Sequence, residues 1–157
     1  MKSLIFFLTA AVLSLLATSS GAQTPVKRFG APQSLFAGGV WAGDTLYLSG
    51  ALAEPTPTAD GGKKIQGDTR TQALSIFKQF EATLKEQGLG MGDVVQMRVY
   101  MVADKGKLDF AGMNEAFKQY FGSATQPNKP TRATVQVAAL VVPEALLEIE
   151  VTAVRSK

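Results

Sequence analysis

Leu146-Leu147-Glu148-Ile149-Glu150-Val151-Thr152-Ala153-Val154 alternates apolar and polar residues, the two-residue period of a strand buried on one side only. Leu147, Ile149, Val151 and Ala153 fall on one face, and Glu148, Glu150 and Thr152 on the other. Just upstream, Arg132 to Leu140 repeats the pattern, with Ala133, Val135, Val137 and Ala139 opposed to Arg132, Thr134 and Gln136. The small and branched apolar faces are expected to meet helices. The opposite face then collects a guanidinium, two carboxylates, a hydroxyl and an amide, and is either solvated or buried against another subunit. The link from Val141 to Ala145 is short, so the two strands are expected to run in opposite directions, with Arg132 and Glu148 at opposite ends. At about 3.3 Å per residue, the six intervening levels span roughly 20 Å. That is too far for one small ligand, so a site using both residues needs a second chain and predicts a homo-oligomer with clefts between subunits.

Working outward, the period changes to that of helices. From Asp68 to Gln87, Ala73, Ile76, Phe77, Phe80 and Leu84 follow helical spacing, with Asp68 placed to cap the start and Gly88 the end. A second, shorter helix follows Asp109, with Phe110, Met113, Phe117, Tyr120 and Phe121 as an aromatic stripe and Gly122 as its stop; such a stripe normally covers a sheet. Between the helices, Val94 to Val102 alternates, with Val95, Val99 and two methionines opposed to Gln96, Arg98 and Tyr100. Before them, Leu35 to Trp41 and Thr45 to Gly50 flank Ala42-Gly43-Asp44, which reads as a hairpin turn. Pro55, Pro57, Gly61 and Gly62 mark a loop. The order is β-β-α-β-α-β-β, and helices on one face of a mixed sheet make an α+β two-layer sandwich.

Residues 1–22 are read apart. Lys2, the apolar run Leu4 to Leu16 and the small residues Ser20-Gly21-Ala22 have the three regions of a secretory signal peptide, cleaved before Gln23. Residues 23–157 are then expected to form one domain, with no membrane segment after cleavage. The chain has no cysteine, hence no disulfides, which suits a bacterial periplasm better than a eukaryotic extracellular space. The formal charge of +3 falls by one with Lys2, and the remaining basic residues are scattered. This is no footprint for nucleic acid. With no histidine and no cysteine, most familiar catalytic devices are excluded, and no metal or organic cofactor is expected. An anion fork and a few carboxylates remain.

From about Phe29 to Arg155 the chain resembles the YjgF/YER057c/UK114 family, whose best-known branch is the reactive-intermediate deaminase RidA. The resemblance is carried by Gly43-Asp44-Thr45-Leu46-Tyr47-Leu48-Ser49-Gly50, Thr71-Gln72-Ala73, Gly92-Asp93-Val94-Val95, Met113-Asn114-Glu115-Ala116-Phe117, Pro130-Thr131-Arg132 and Leu147-Glu148-Ile149-Glu150. It implies a chorismate-mutase-like fold assembled as a homotrimer with three inter-subunit clefts. It also implies hydrolysis of 2-imino acids, or their enamine tautomers, to 2-oxo acids and ammonia. Arg132 would hold the substrate carboxylate, which suits a planar, permanently charged fork, and Glu148 would position and polarise the attacking water. Gly50 and Asn114 would complete the pocket. Phe36 stands where the deaminase branch often has a tyrosine, Thr134 where it often has a small thiol, and Lys129 where an aromatic usually precedes the Pro-x-Arg step. Glu150 reads as structural, and Trp41 as packing or interface. Two other readings stay open: a non-catalytic trimer that binds small carboxylates or acts as a holdase, and a ribonuclease, against which the missing histidine and near-neutral charge count.

Overall fold

The computed structural model describes residues 24–156; the expected signal peptide lies outside them. Two helices cover one face of a six-stranded sheet. The strands are β1 (Val26–Phe29), β2 (Gly39–Ala42), β3 (Thr45–Ala51), β6 (Val94–Met101), β7 (Thr131–Gln136) and β8 (Leu147–Val154). A separate ribbon pairs β4 (Thr56–Pro57) with β5 (Lys63–Lys64). The helices are α1 (Thr69–Glu86) and α2 (Phe110–Tyr120). The α+β two-layer class expected from the sequence is the class observed.

The helices begin and end where their punctuation falls. The Asp68 carboxylate accepts from Thr71 N–H at 2.8 Å and the Asp109 carboxylate from Gly112 N–H at 2.9 Å, each satisfying an amide left free in a first turn. Past the far ends, Gly88 and Gly122 have φ of +72° and +74°, a conformation glycine adopts without strain. Ala73, Ile76, Phe77, Phe80 and Leu84 are buried along α1, each large side chain contributing about 1.5–3 kcal/mol. The aromatic stripe of α2 joins this core through Tyr120 and Phe121, whose rings lie 5.2 and 5.9 Å from that of Phe77.

The strand order is β1-β2-β3-β8-β6-β7, which corrects the expected course of the last two strands. They do run in opposite directions, but β6 lies between them, parallel to β7 and antiparallel to β8. The unit β6-α2-β7 is a crossover, and a crossover returns the chain parallel to the strand it left. The link after β7 then steps over β6 to reach the slot beside β3. Buried Gln72 pins that link: its amide donates to the carbonyls of Gly67 and Glu144, and its carbonyl accepts from Leu146 N–H. Three smaller corrections follow. Val26–Phe29 adds a strand ahead of the expected first hairpin. The first hairpin strand begins at Gly39, leaving Leu35 and Phe36 exposed in a loop. A bulge between Val94 and Gln96 turns Val95 outward, while Met97, Val99 and Met101 stay buried.

Candidate functional site

Register places the two candidate reactive residues on opposite sides of the sheet. Arg132 pairs with Met97 and Thr134 with Val99, both core-facing residues, so both side chains point to the helix side. Glu148 pairs with Tyr100 and points to the bare side. The expected single polar face holding Arg132, Thr134 and Glu148 together is therefore incorrect. On β7 it is Ala133 and Val135 that face the bare side, with Val135 49% exposed. On this edge strand the helix-side row meets α2, whose exposed margin accommodates a cation.

The Arg132 guanidinium is built into that margin. Its Cζ lies 4.7 Å from the Phe117 ring centre and 5.5 Å from that of Phe110, within reach of a cation–π attraction. Nη2 donates to Asn114 Oδ1 at 2.7 Å, which fixes the plane of the fork. Nη1 is buried with no partner, and so is the Thr134 hydroxyl oxygen two residues on. Burial lowers the guanidinium pKa from its ordinary value, yet an arginine remains a cation at working pH. A buried donor without a partner is costly, and an anion within reach of Nη1 would satisfy it. The cleft at Arg132, about 610 Å³, is lined by Asn114, Phe117, Lys118, Lys129 and Arg132 among others.

Glu148 sits among different neighbours. A Cβ added to Gly50 would collide with Glu148 Oε1 and lie 3.0 Å from its Cδ, so the bare backbone of Gly50 makes room for the carboxylate. Close by, the Ser49 hydroxyl donates to Ala37 O at 2.6 Å and Ser49 N–H to Gly38 O at 3.2 Å, tying the Phe36 loop to this end of β3. The Phe36 ring is 79% exposed. Further along the bare face, Glu150 accepts from Arg98 Nη1 at 2.6 Å and from the Tyr100 hydroxyl at 3.2 Å. Burial first, and the Glu150 charge second, raise the Tyr100 phenol above its usual pKa.

The expected residues thus form two groups. Arg132, Asn114 and Thr134 make one; Glu148, Gly50 and the Phe36 loop make the other. Phe110, Phe117 and Lys118 were not expected as site residues, yet the helical spacing of Phe110, Asn114, Phe117 and Lys118 puts all four on one side of α2, and that side is the one that meets Arg132. Trp41 packs as expected: its indole N–H donates to Gln87 Oε1 at 3.0 Å, and Arg155 lies over its ring. Among the described residues no cluster of carboxylates is arranged to hold a metal, and no helix is long and apolar enough to cross a membrane.

This architecture and sequence recur in known proteins. A sequence model described as endoribonuclease L-PSP matches residues 28–155. A protein named "Putative reactive intermediate deaminase TdcF", from Escherichia coli, is 36% identical over 118 residues, 75% of this chain and 84% of its own. A RutC family protein of Pyrococcus horikoshii is 33% identical over 112 residues, 71% of this chain and 80% of its own. The crystal structure of E. coli TdcF with bound serine superposes with a TM-score of 0.63 at 33% identity, covering 82% of this chain and 94% of that one. A YjgF family member from Neisseria meningitidis superposes with a TM-score of 0.65 at 27% identity, covering 86% and 98%. With this sheet, these helices and a match spanning nearly all the described residues, the chain belongs to the YjgF/RutC/RidA family, the family described as endoribonuclease L-PSP.

Proposed function

We propose that the protein hydrolyses 2-imino acids and their enamine tautomers to 2-oxo acids and ammonia. The observation that carries this reading is the Arg132 fork, oriented by Asn114 and within cation–π reach of two phenylalanine rings, with Nη1 buried and unpartnered. A substrate carboxylate accepting from Nη1 satisfies that atom and holds the adjacent imine carbon at the cleft. Water adds to this carbon while Glu148 accepts its proton. Glu148 returns that proton to the nitrogen, onto which the C=N π pair collapses, and then relays the carbinolamine O–H proton to the same nitrogen as the C=O forms and the C–N bond breaks, releasing ammonia. Imines already hydrolyse in water, so positioning and general-base help, worth on the order of 100- to 10,000-fold, are the acceleration required. A relative whose structure holds serine, a small carboxylate, supports the choice of ligand.

Because Arg132 and Glu148 face opposite sides of the sheet in one copy, the site needs Glu148 from a second copy, and we place it in the clefts of a homotrimer. The bare sheet face, with exposed Tyr47 and Val135, is the surface such an assembly would cover. We further propose that residues 1–22 direct export to a bacterial periplasm, testable by the N-terminal residue of protein recovered from that compartment.

The decisive experiment measures loss of imines generated in place by an amino-acid oxidase. Wild type should accelerate it, and Arg132→Ala should lower kcat/KM about 100-fold, the loss of charge-assisted bonds to a carboxylate. No acceleration by wild type, or an unimpaired Arg132→Ala, overturns the reading.

A further inference from the structure

We propose that the preferred substrate carries a second anionic group, making it a dicarboxylic 2-imino acid, and that Lys118 and Lys129 recognise that group. This rests on the deaminase reading of the Arg132 cleft. Three of the residues lining the cleft are cations, Lys118, Lys129 and Arg132, and none is acidic. The nearest acid in sequence on α2, Glu115, is engaged by Arg70 at 3.5 Å. Like charges around one concavity repel each other and raise the local concentration of anions. One carboxylate on Arg132 leaves two positive charges facing the same space.

Neither lysine is placed by chance of surface composition. Lys118 follows Asn114 by one helical turn, on the side of α2 that meets Arg132. Lys129 leaves a loop held by its own hydrogen bonds. Gln126 donates to Tyr120 O at 2.8 Å and accepts from Asn128 N–H at 2.8 Å, and Asn128 donates to Gly92 O at 3.1 Å. The loop then enters buried Pro130. From there the Lys129 side chain lies across Gly122, its Nζ only 3.3 Å from where a Cβ would stand. A side chain at Gly122 would lift the ammonium out of the cleft. Glycine there serves both the helix stop and the seat of Lys129. A cleft of about 610 Å³ lies within the usual range for a small-molecule site, roughly 300–1,000 Å³, and leaves room for a side-chain carboxylate beyond the imino-acid head.

The test compares imines made from aspartate and glutamate with the imine made from alanine, in wild type and in the double variant Lys118→Gln/Lys129→Gln. Wild type should favour the diacid imines in kcat/KM by about tenfold, the scale of one charge-assisted contact, and added salt should shrink the ratio. In the double variant the ratio should fall to about one. A wild-type ratio of one or less overturns the second-anion inference, while acceleration of the alanine imine leaves the deaminase reading intact. If no imine is accelerated, that reading falls and the imino-acid substrate with it, and calorimetric binding of 2-oxoglutarate against 2-oxobutanoate decides whether the two lysines recognise a second anionic group. Tighter, salt-sensitive binding of the diacid that the double variant loses supports it; equal binding, or none, overturns it.

Discussion

On the helix side of the sheet Met97, Val99 and Met101 are sealed from solvent, whereas Arg98 and Tyr100, their alternating neighbours on the same strand, look out from a side that no helix covers. The two sides also divide the residues proposed to carry the chemistry. The helix side carries the cation, Arg132, at its edge, gripped by α2; the bare side carries the carboxylate, Glu148, seated over Gly50. A sheet is a barrier about one residue thick, and no rotamer carries a glutamate through it. A reaction that needs both groups therefore belongs to an assembly, while each half-site is finished within one copy.

The largest effect that could break this comparison comes from mixing defective copies. Arg132→Ala and Glu148→Ala homo-oligomers should each be nearly inactive. Co-expressed in equal amounts, they should recover about a quarter of wild-type activity, since random assembly in a ring pairs an intact arginine with an intact glutamate in one cleft of four. No recovery, with mixed oligomers demonstrated by mass, would place both groups in one copy and contradict the division.

Next in size are substitutions that weigh the two sides as structure. Met97→Ala opens a cavity among residues of zero exposure and should cost about 2–5 kcal/mol in urea unfolding. Thr152→Ala, near it but on the bare side, should stay within about 0.5 kcal/mol. Comparable costs would mean that the bare side is already covered in the species that unfolds, and repeating the titration over a range of protein concentrations would reveal it.

A smaller change sharpens the carboxylate half alone. Gly50→Ala places a methyl group where Glu148 Oε1 lies, so the carboxylate must swing aside. Imine turnover should fall about tenfold, in line with a displaced general base, with the melting temperature little altered. Unchanged turnover would show that Glu148 is not held where Gly50 puts it.

Much of this could be read in the sequence, and the misreadings have physical reasons. Both helices, their aspartate caps and their glycine stops stand in the residue pattern because capping and helical spacing are local. The position of β6 is not local. The five-residue link from Val141 to Ala145 fixes only the opposite directions of β7 and β8; the β6-α2-β7 crossover gives β7 its parallel neighbour, and β8 takes the slot between β3 and β6 while β7 ends the sheet. The facing of β7 departs from the rule that apolar residues point inward. That rule fails on an edge strand, where Ala133 and Val135 face the bare side and Arg132 packs against the aromatic rings of α2. Phe110 and Phe117 were legible as a stripe but not as the arginine's walls, because a stripe does not say what lies opposite it.

The smallest effect concerns what keeps the covered side covered. Asp68 caps α1, and hydrogen bonds from the Thr71 hydroxyl and then the Thr71 backbone N–H hold its carboxyl below the usual carboxylate pKa. A carboxyl depressed on folding stabilises the fold above its unfolded pKa, near 3.8, and loses that contribution as pH falls through the lower folded value. Asp68→Ala should therefore cost about 1 kcal/mol near pH 7, lowering the melting temperature by about 4 °C, and the gap from wild type should narrow below about pH 4. Asp68 touches neither half-site, so imine turnover at pH 7 should not move. A gap that is the same at pH 2.5 and pH 7 would mean that the ionised carboxylate contributes nothing. The start of α1 would then be fixed by Gln72, whose amide bonds carry no charge and do not titrate.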